Sequence, residues 1–229
     1  MKRILLALAA VAITSGAASA QYSDELRARN RRASVERFAF EFGVGTYTPD
    51  AGRTAIFSGD RGPQLRMEFD VLPLRIPYVG MLGAGFSFSW VKLDGKLCAT
   101  ATCDENDSLD DSGRLRLFPL APLAVLRVDV LARELGIPIV LTGKIGPDII
   151  RYDVDGGSST GSGTVYGLRW AAQVALELDF ISPRRAASLD ADWGINHSYL
   201  LFELMGSNIT SGTDFGDSLT WTVGLGLTF

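Results

Sequence analysis

Residues 165–180 alternate for sixteen residues without a break in phase. Tyr166, Leu168, Trp170, Ala172, Val174, Leu176, Leu178 and Phe180 fall on one face, with Arg169, Gln173, Glu177 and Asp179 on the other. A strand of about five or six residues suffices in a soluble sheet, so this run points to strands that must cross something thick. Residues 217–229 repeat the pattern, with Leu219, Trp221, Val223, Leu225, Leu227 and Phe229 opposite Thr220, Thr222, Gly224, Gly226 and Thr228. Residues 37–47 set Phe38, Phe40, Phe42 and Val44 against Glu41 and two glycines, and 65–71 set Leu65, Met67, Phe69 and Val71 against Arg66, Glu68 and Asp70. In 78–92, Leu82, Phe86, Phe88 and Trp90 oppose Gly83, Gly85, Ser87 and Ser89.

Three further strands are less regular. They are 114–130, where Pro119 and Pro122 demand a bend or an irregular start; 138–152, with Lys144 and Asp148 on its polar face; and 197–206, with Leu200, Phe202 and Leu204 opposite Tyr199 and Glu203. Apolar faces this complete, backed by charged ones, do not describe a sandwich. They describe a closed wall with hydrocarbon outside and polar residues inside. No stretch after residue 20 approaches eighteen uninterrupted apolar residues, which excludes membrane-spanning helices. The expected fold is all-β: an eight-stranded antiparallel up-and-down transmembrane barrel over 36–229, preceded by a short segment 21–35.

The first twenty residues carry Lys2 and Arg3 ahead of the apolar run Ile4 to Ile13 and end Ala18-Ser19-Ala20. That is the pattern of a cleaved secretory signal with its cut after Ala20. Gln21, rather than a cysteine, follows the cut, which argues against a lipoprotein. Without Lys2 and Arg3 the chain holds 20 basic against 26 acidic residues, a net charge of −6, and no basic stripe, so nucleic acid is not an expected partner. The only cysteines, Cys98 and Cys103, lie in a polar stretch of an exported chain, and a disulfide at a loop tip is expected. Two thiols without a third or fourth ligand nearby do not make a metal site, and no cofactor is implied.

Counting from a periplasmic N-terminus, the odd connections are long (48–63, 93–113, 153–163, 207–216). Those around Pro73–Pro77 and Ala132–Pro138 are short. Long loops then lie outside the cell and both termini lie in the periplasm. The exception, 181–196, predicts a short periplasmic helix, with Ser182 as N-cap, Pro183 in the first turn and Gly194 as stop. Arg184 and Arg185 at its start would touch inner-leaflet phosphates or, more simply, be solvated.

The terminal residues Thr222, Gly224, Leu227 and Phe229 resemble the sorting signal of outer-membrane barrels. The resemblance implies recognition by the barrel-assembly machinery and a final environment of outer-membrane lipid and lipopolysaccharide. The stretches F-x-F-G-V-G-x-Y-T-P-D at 40–50 and L-D-A-D-W-G-I-N-H-S-Y-L-L-F-E-L at 189–204 resemble an uncharacterised family of outer-membrane barrels from myxobacteria and their relatives. That likeness implies fold and address only, and no activity; separately, the barrel is expected to be a monomer.

Eight strands enclose an interior just filled by side chains. The inward charges Glu41, Arg66, Glu68, Asp70, Arg127, Asp129, Lys144, Arg169, Glu177, Asp179 and Glu203 therefore predict an ion-paired plug, with a narrow polar channel as the rival. His197, Ser198 and Glu203 invite comparison with lipid A deacylases. Adjacent strand residues face opposite sides, however, so His197 and Ser198 are poorly placed to act together. The acidic residues Asp104, Glu105, Asp107, Asp110 and Asp111 could attract divalent ions. They do not form an EF-hand, because Leu109 and Leu115 occupy the positions that need glycine and an acid. The Gly/Ser tract 156–163 predicts a flexible loop tip. The leading expectation is a structural or surface-interaction protein without enzymatic activity, ahead of a lipid A-acting hydrolase or a narrow channel.

Overall fold

The computed structural model describes residues 36–48, 61–98, 108–156, 159–211, 215–217 and 219–229, the side chains of 95–98, 108–112, 156 and 159 excepted. Eight strands follow one another: β1 (Phe38–Tyr47), β2 (Gly62–Ile76), β3 (Gly80–Cys98), β4 (Ser108–Val128), β5 (Ile139–Gly156), β6 (Ser159–Glu177), β7 (His197–Ser211) and β8 (Thr220–Thr228). Each pairs antiparallel with its neighbour in sequence, and β1 meets β8 from Ala39↔Thr228 to Thr46↔Trp221, closing the barrel. Closure gives every strand two hydrogen-bonded neighbours, so no strand is an edge strand, as a wall in hydrocarbon requires. The proposed signal with Ala18 and Ala20, and Cys103, lie outside the described residues.

The alternation read from the sequence sets the two faces. Phe38, Phe40, Phe42, Met67, Phe69, Phe86, Trp170, Val174, Phe202, Val223 and Leu225 stand on the outer wall. All eleven charges expected inside are buried, from Glu68 at 1% exposed to Arg66 at 5%. In the half of the barrel nearest the chain termini, the outside is therefore apolar and the inside ionic.

In the other half, nearest the β1–β2, β3–β4, β5–β6 and β7–β8 connections, the phase continues but the polarity reverses. Lys92 and Asp94 on β3, Arg114 and Arg116 on β4, and Arg151, Asp153 and Asp155 on β5 all point outward. They sit in register as Lys92↔Arg116↔Asp153 and Asp94↔Arg114↔Asp155. Arg114 Nε bonds Asp94 Oδ1 at 3.1 Å, and Lys92 Nζ lies 2.7 Å from Asp94 Oδ2. Inside, Tyr47, Val91, Leu93, Leu115, Leu117, Ile150, Val165 and Phe215 form an apolar core, with Tyr152, Val154 and Ile209 packed against it. Tyr47 donates to the Phe215 carbonyl at 2.7 Å, drawing the β7–β8 connection into the core. This half is built like a water-soluble barrel. The change of solvent falls near the row Trp90, Phe118 and Arg151.

The reversal corrects the expected loops. Segments 93–113 and 153–163 are largely strand, because β3 runs to Cys98, β4 starts at Ser108, β5 runs to Gly156 and β6 starts at Ser159. The Gly/Ser tract thus belongs mainly to β6. Once the outer face meets water it can be charged, so the signature of lipid ends although the hydrogen-bond ladder continues.

β4 continues as one strand through both prolines, but its pairing lapses beside them. On the β3 side the register jumps from Phe88↔Leu120 to Val91↔Leu117, past Pro119. On the β5 side it jumps from Leu120↔Ile149 to Ala124↔Ile145. Carried through that gap, the register sets Pro122 opposite Pro147, and neither can donate. Pro73 sits within a register shift between Val71 and Leu74.

At the termini end, helix α1 (Val130–Arg133) lies in the β4–β5 connection, and a 3₁₀ turn (Asp179–Ile181) precedes helix α2 (Pro183–Trp193). The helix is where Pro183 and Gly194 predict it, with Gly194 at φ 68 closing it in the left-handed region. Ser182 occupies the cap position but makes no side-chain cap hydrogen bond, and β6 ends at Glu177 rather than continuing to Phe180. Arg184 and Arg185 are exposed.

Candidate functional site

The ionic interior has three tiers along the barrel axis. Next to the apolar core, Arg169 Nη2 donates to Asp148 Oδ2 at 3.0 Å, and Ser207 Oγ donates to the same oxygen. In the middle, Lys144 Nζ donates to Glu41 Oε2 at 2.7 Å and Glu203 Oε2 at 3.0 Å, and also contacts Glu68. Arg66 pairs with Glu68 and Glu203, and its Nε donates to Ser87 Oγ at 3.1 Å. Gln173 Nε2 joins Glu41 Oε2 at 2.8 Å to Glu203 Oε2 at 3.2 Å. Six strands, β1, β2, β3, β5, β6 and β7, are thereby tied together across the lumen. Such a network holds charges inside because each finds partners; isolated, they would be costly.

The third tier lies at the termini end and gathers around the single histidine. His197 opens β7, Glu177 closes β6, Asp179 begins the 3₁₀ turn between them and Glu36 precedes β1. His197 Nδ1 lies 2.7 Å from Asp179 Oδ2 and 3.2 Å from Glu177 Oε1, while Nε2 lies 3.4 Å from Glu36 Oε1. Ser198 steadies Asp179, its backbone N–H and its hydroxyl donating to Oδ1 at 3.3 and 3.2 Å. Arg133 Nη2 donates to Glu36 Oε1 at 2.7 Å and its Nε pairs with Asp129 at 2.7 Å, and Asp129 also holds Arg75 at 3.0 Å. The Arg127 guanidinium stacks over the Tyr199 ring, 4.6 Å from its centroid. Burial would raise the Glu36 carboxyl, but the His197 hydrogen bond and the charges of His197, Arg127 and Arg133 outweigh it and bring it down to about 2.

His197, Ser198 and Glu203 are not assembled as a catalytic trio. Glu203 belongs to the middle tier with Lys144 and Arg66. His197 faces inward, whereas Ser198 lies half-buried on the other face, and both meet only at Asp179. Asp179 thus stands between the two, where a nucleophile–base pair would need direct contact. Asp179 as the partner of His197 is the feature that face-reading missed. It was recoverable from register, because Glu177 pairs with Tyr199 and continuing that pairing two residues sets Asp179 beside His197.

Thr222, Gly224 and Leu227 lie on β8, and the Phe229 carbonyl accepts from the backbone N–H of Arg37 at 2.7 Å and of Phe38 at 3.1 Å. Cys98 is on the backbone of β3, its proposed partner being outside the described residues. Asp104, Glu105 and Asp107 are likewise outside them, while Asp110 and Asp111 lie on β4.

A closed eight-strand meander with an apolar outer wall over an ionic interior is the architecture of small membrane barrels. Among solved structures the chain is similar to the outer membrane protein OprG from Pseudomonas aeruginosa, with a TM-score of 0.58 and 13% identity over 86% of this chain and 97% of that one. It also aligns with Ail, the attachment invasion locus protein of Yersinia pestis, at TM-score 0.48 and 11% identity over 86% of this chain and 100% of that one. At these identities the likeness to OprG is one of fold. No family model and no curated protein matches the chain.

Proposed function

We propose that the protein is a non-conducting barrel of the bacterial outer membrane with a structural or surface-interaction role and no enzymatic activity. The observation that carries this reading is the double seal: an ion-paired plug in the apolar-walled half, capped by a packed apolar core in the other. A conducting path would have to break both. The charged rows on β3, β4 and β5 suit the water side of an interface, and between β4 and β6 they border a surface depression of about 330 Å³ lined by Arg114, Arg116, Asp153, Asp155 and Thr160. That wall is the surface a partner would meet.

Outer-membrane residence follows from the export signal ending at Ala18 and Ala20, the terminal sequence Thr222, Gly224, Leu227 and Phe229, and the apolar band. The termini and α2 then face the periplasm and the long strands project outside. Lipopolysaccharide surrounds the wall, the barrel-assembly machinery inserts it, and it works as a monomer. Kinship with the myxobacterial-type barrels, resting on residues 40–50 and 189–204, belongs to the same proposal. Planar-bilayer recording of the purified protein tests the function: a silent membrane is expected, and reproducible stepwise openings would overturn the sealed reading in favour of a channel. Lipid A mass spectrometry of a deletion strain should show an unchanged profile, and a shifted acyl pattern would favour the hydrolase.

A further inference from the structure

Two buried carboxylates approach a single ring nitrogen at the termini end, and with both ionised its one proton is directed to only one of them. Nδ1 of His197 carries at most one proton. At 2.7 Å from Asp179 Oδ2 that proton is directed to aspartate. Glu177 Oε1, 3.2 Å from the same nitrogen on a side chain 1% exposed, then receives no hydrogen bond. A buried carboxylate oxygen in that position is costly. A cation between the three groups would satisfy all of them.

We propose that His197 Nδ1 and the carboxylates of Asp179 and Glu177 form a binding site for a divalent transition metal of zinc-like preference. Their ligand atoms lie within 4.8 Å of one another. A tetrahedral centre with bonds of about 2.0–2.1 Å needs its donors only about 3.3 Å apart, so small side-chain adjustments close the site and leave a fourth position for water. The supporting contacts have the form that metal-bound histidines require. Glu36 Oε1 faces Nε2, the far ring nitrogen, where it would fix the tautomer that presents the Nδ1 lone pair to the metal. Ser198 holds Asp179 by Oδ1 and leaves Oδ2 turned to the ring. The second acidic group, Glu41, Glu68 and Asp70, differs, because the Lys144 ammonium already lies against Glu41 and Glu68 and acts as its built-in cation.

The chain contains one histidine, so imidazole NMR signals report this site alone. The probe is Zn²⁺ added to the tag-free mature protein folded in detergent micelles, in a C98S/C103S background that removes the thiols. The Nδ1 resonance of His197 should shift on addition of one equivalent, and Co²⁺ in place of Zn²⁺ should give the visible absorption of a tetrahedral site. Titration calorimetry should show binding abolished by His197→Gln, weakened at least about 10-fold by Glu177→Gln, and weakened about 10-fold by Glu36→Gln. If His197→Gln does not fold, Glu177→Gln decides, since Oε1 has no hydrogen bond to lose. A wild-type Nδ1 signal unmoved at saturating Zn²⁺, or an affinity unchanged in folded Glu177→Gln, overturns the site. The second result would move binding to carboxylates elsewhere.

Discussion

Replacing Lys144 with methionine tests the ionic plug most directly. The ammonium contacts Glu41, Glu68 and Glu203, and its side chain is fully buried. Lys144→Met keeps most of the volume, so packing changes little, but it leaves three buried carboxylates sharing Arg66 and the amide of Gln173. Stranding one partner of a buried ion pair costs about 3–5 kcal/mol, and that range spans roughly two to three and a half powers of ten in the folding equilibrium. The assay is reversible urea unfolding in lipid vesicles, followed by heat-modifiable migration and tryptophan fluorescence. Glu41→Gln in the Lys144→Met background should recover part of the loss, because it removes one stranded charge. A double-mutant cycle should give coupling of about 0.5–3 kcal/mol. Conductance should stay silent in the variant, since the apolar core around Leu115, Leu117 and Phe215 seals the lumen independently. A loss below about 1 kcal/mol, strictly additive substitutions, or a channel opened by this one change would refute the reasoning.

Phe69→Arg, on the apolar wall, should destabilise the inserted barrel by about 2–4 kcal/mol, whereas Arg116→Leu should move stability by less than about 0.5 kcal/mol if β4 is already in water there. Strong stabilisation by Arg116→Leu would place that row in hydrocarbon. Leu117→Ala, inside the same level, should cost about 2–5 kcal/mol by leaving a cavity, measured by the same urea unfolding. Because the folded-state value of Glu36 lies below its ordinary 4.5, its stabilising contribution is complete above about 4.5 and is lost as pH falls towards about 2. Glu36→Gln should flatten that part of the pH–stability profile, and an unchanged slope between pH 5 and 2 would remove Glu36 from the account. Cys98 and Cys103 should resist thiol alkylation until reductant is added, as mass spectrometry would show. Labelling without reductant excludes the disulfide.

The strand count, the faces and α2 were legible because each rests on a local rule. Period two sorts Phe40 from Glu41 whatever the partner strand, and Pro183 and Gly194 bracket a helix on backbone grounds alone. The strand ends on the loop side were not legible, because apolar-out marks contact with lipid rather than the presence of a strand. Leu115 and Arg116 alternate as faithfully as Leu126 and Arg127, but with the chemistry exchanged. The interior charges could be assigned inward but not matched: Lys144 lies more than a hundred residues from Glu41 in sequence, and its three carboxylates come from three strands. His197 was visible as a candidate. Its partners became visible only when the β6–β7 pairing placed Asp179 beside it and the chain entry into β1 delivered Glu36.

The strand lengths give the molecule a front and a back. β3, β4, β5 and β6 have 19, 21, 18 and 19 residues, whereas β1 and β8 have 10 and 9. From Phe118 up to Ser108, β4 climbs roughly 30 Å along its own axis, or about 25 Å vertically at the usual tilt. Among the described residues, the strands therefore rise unevenly, tall over β3 to β6 and short where β1 meets β8. The tall, hydrogen-bonded backbone thus stands on one side of the axis, so the bearing from which a molecule approached it would matter as much as its chemistry.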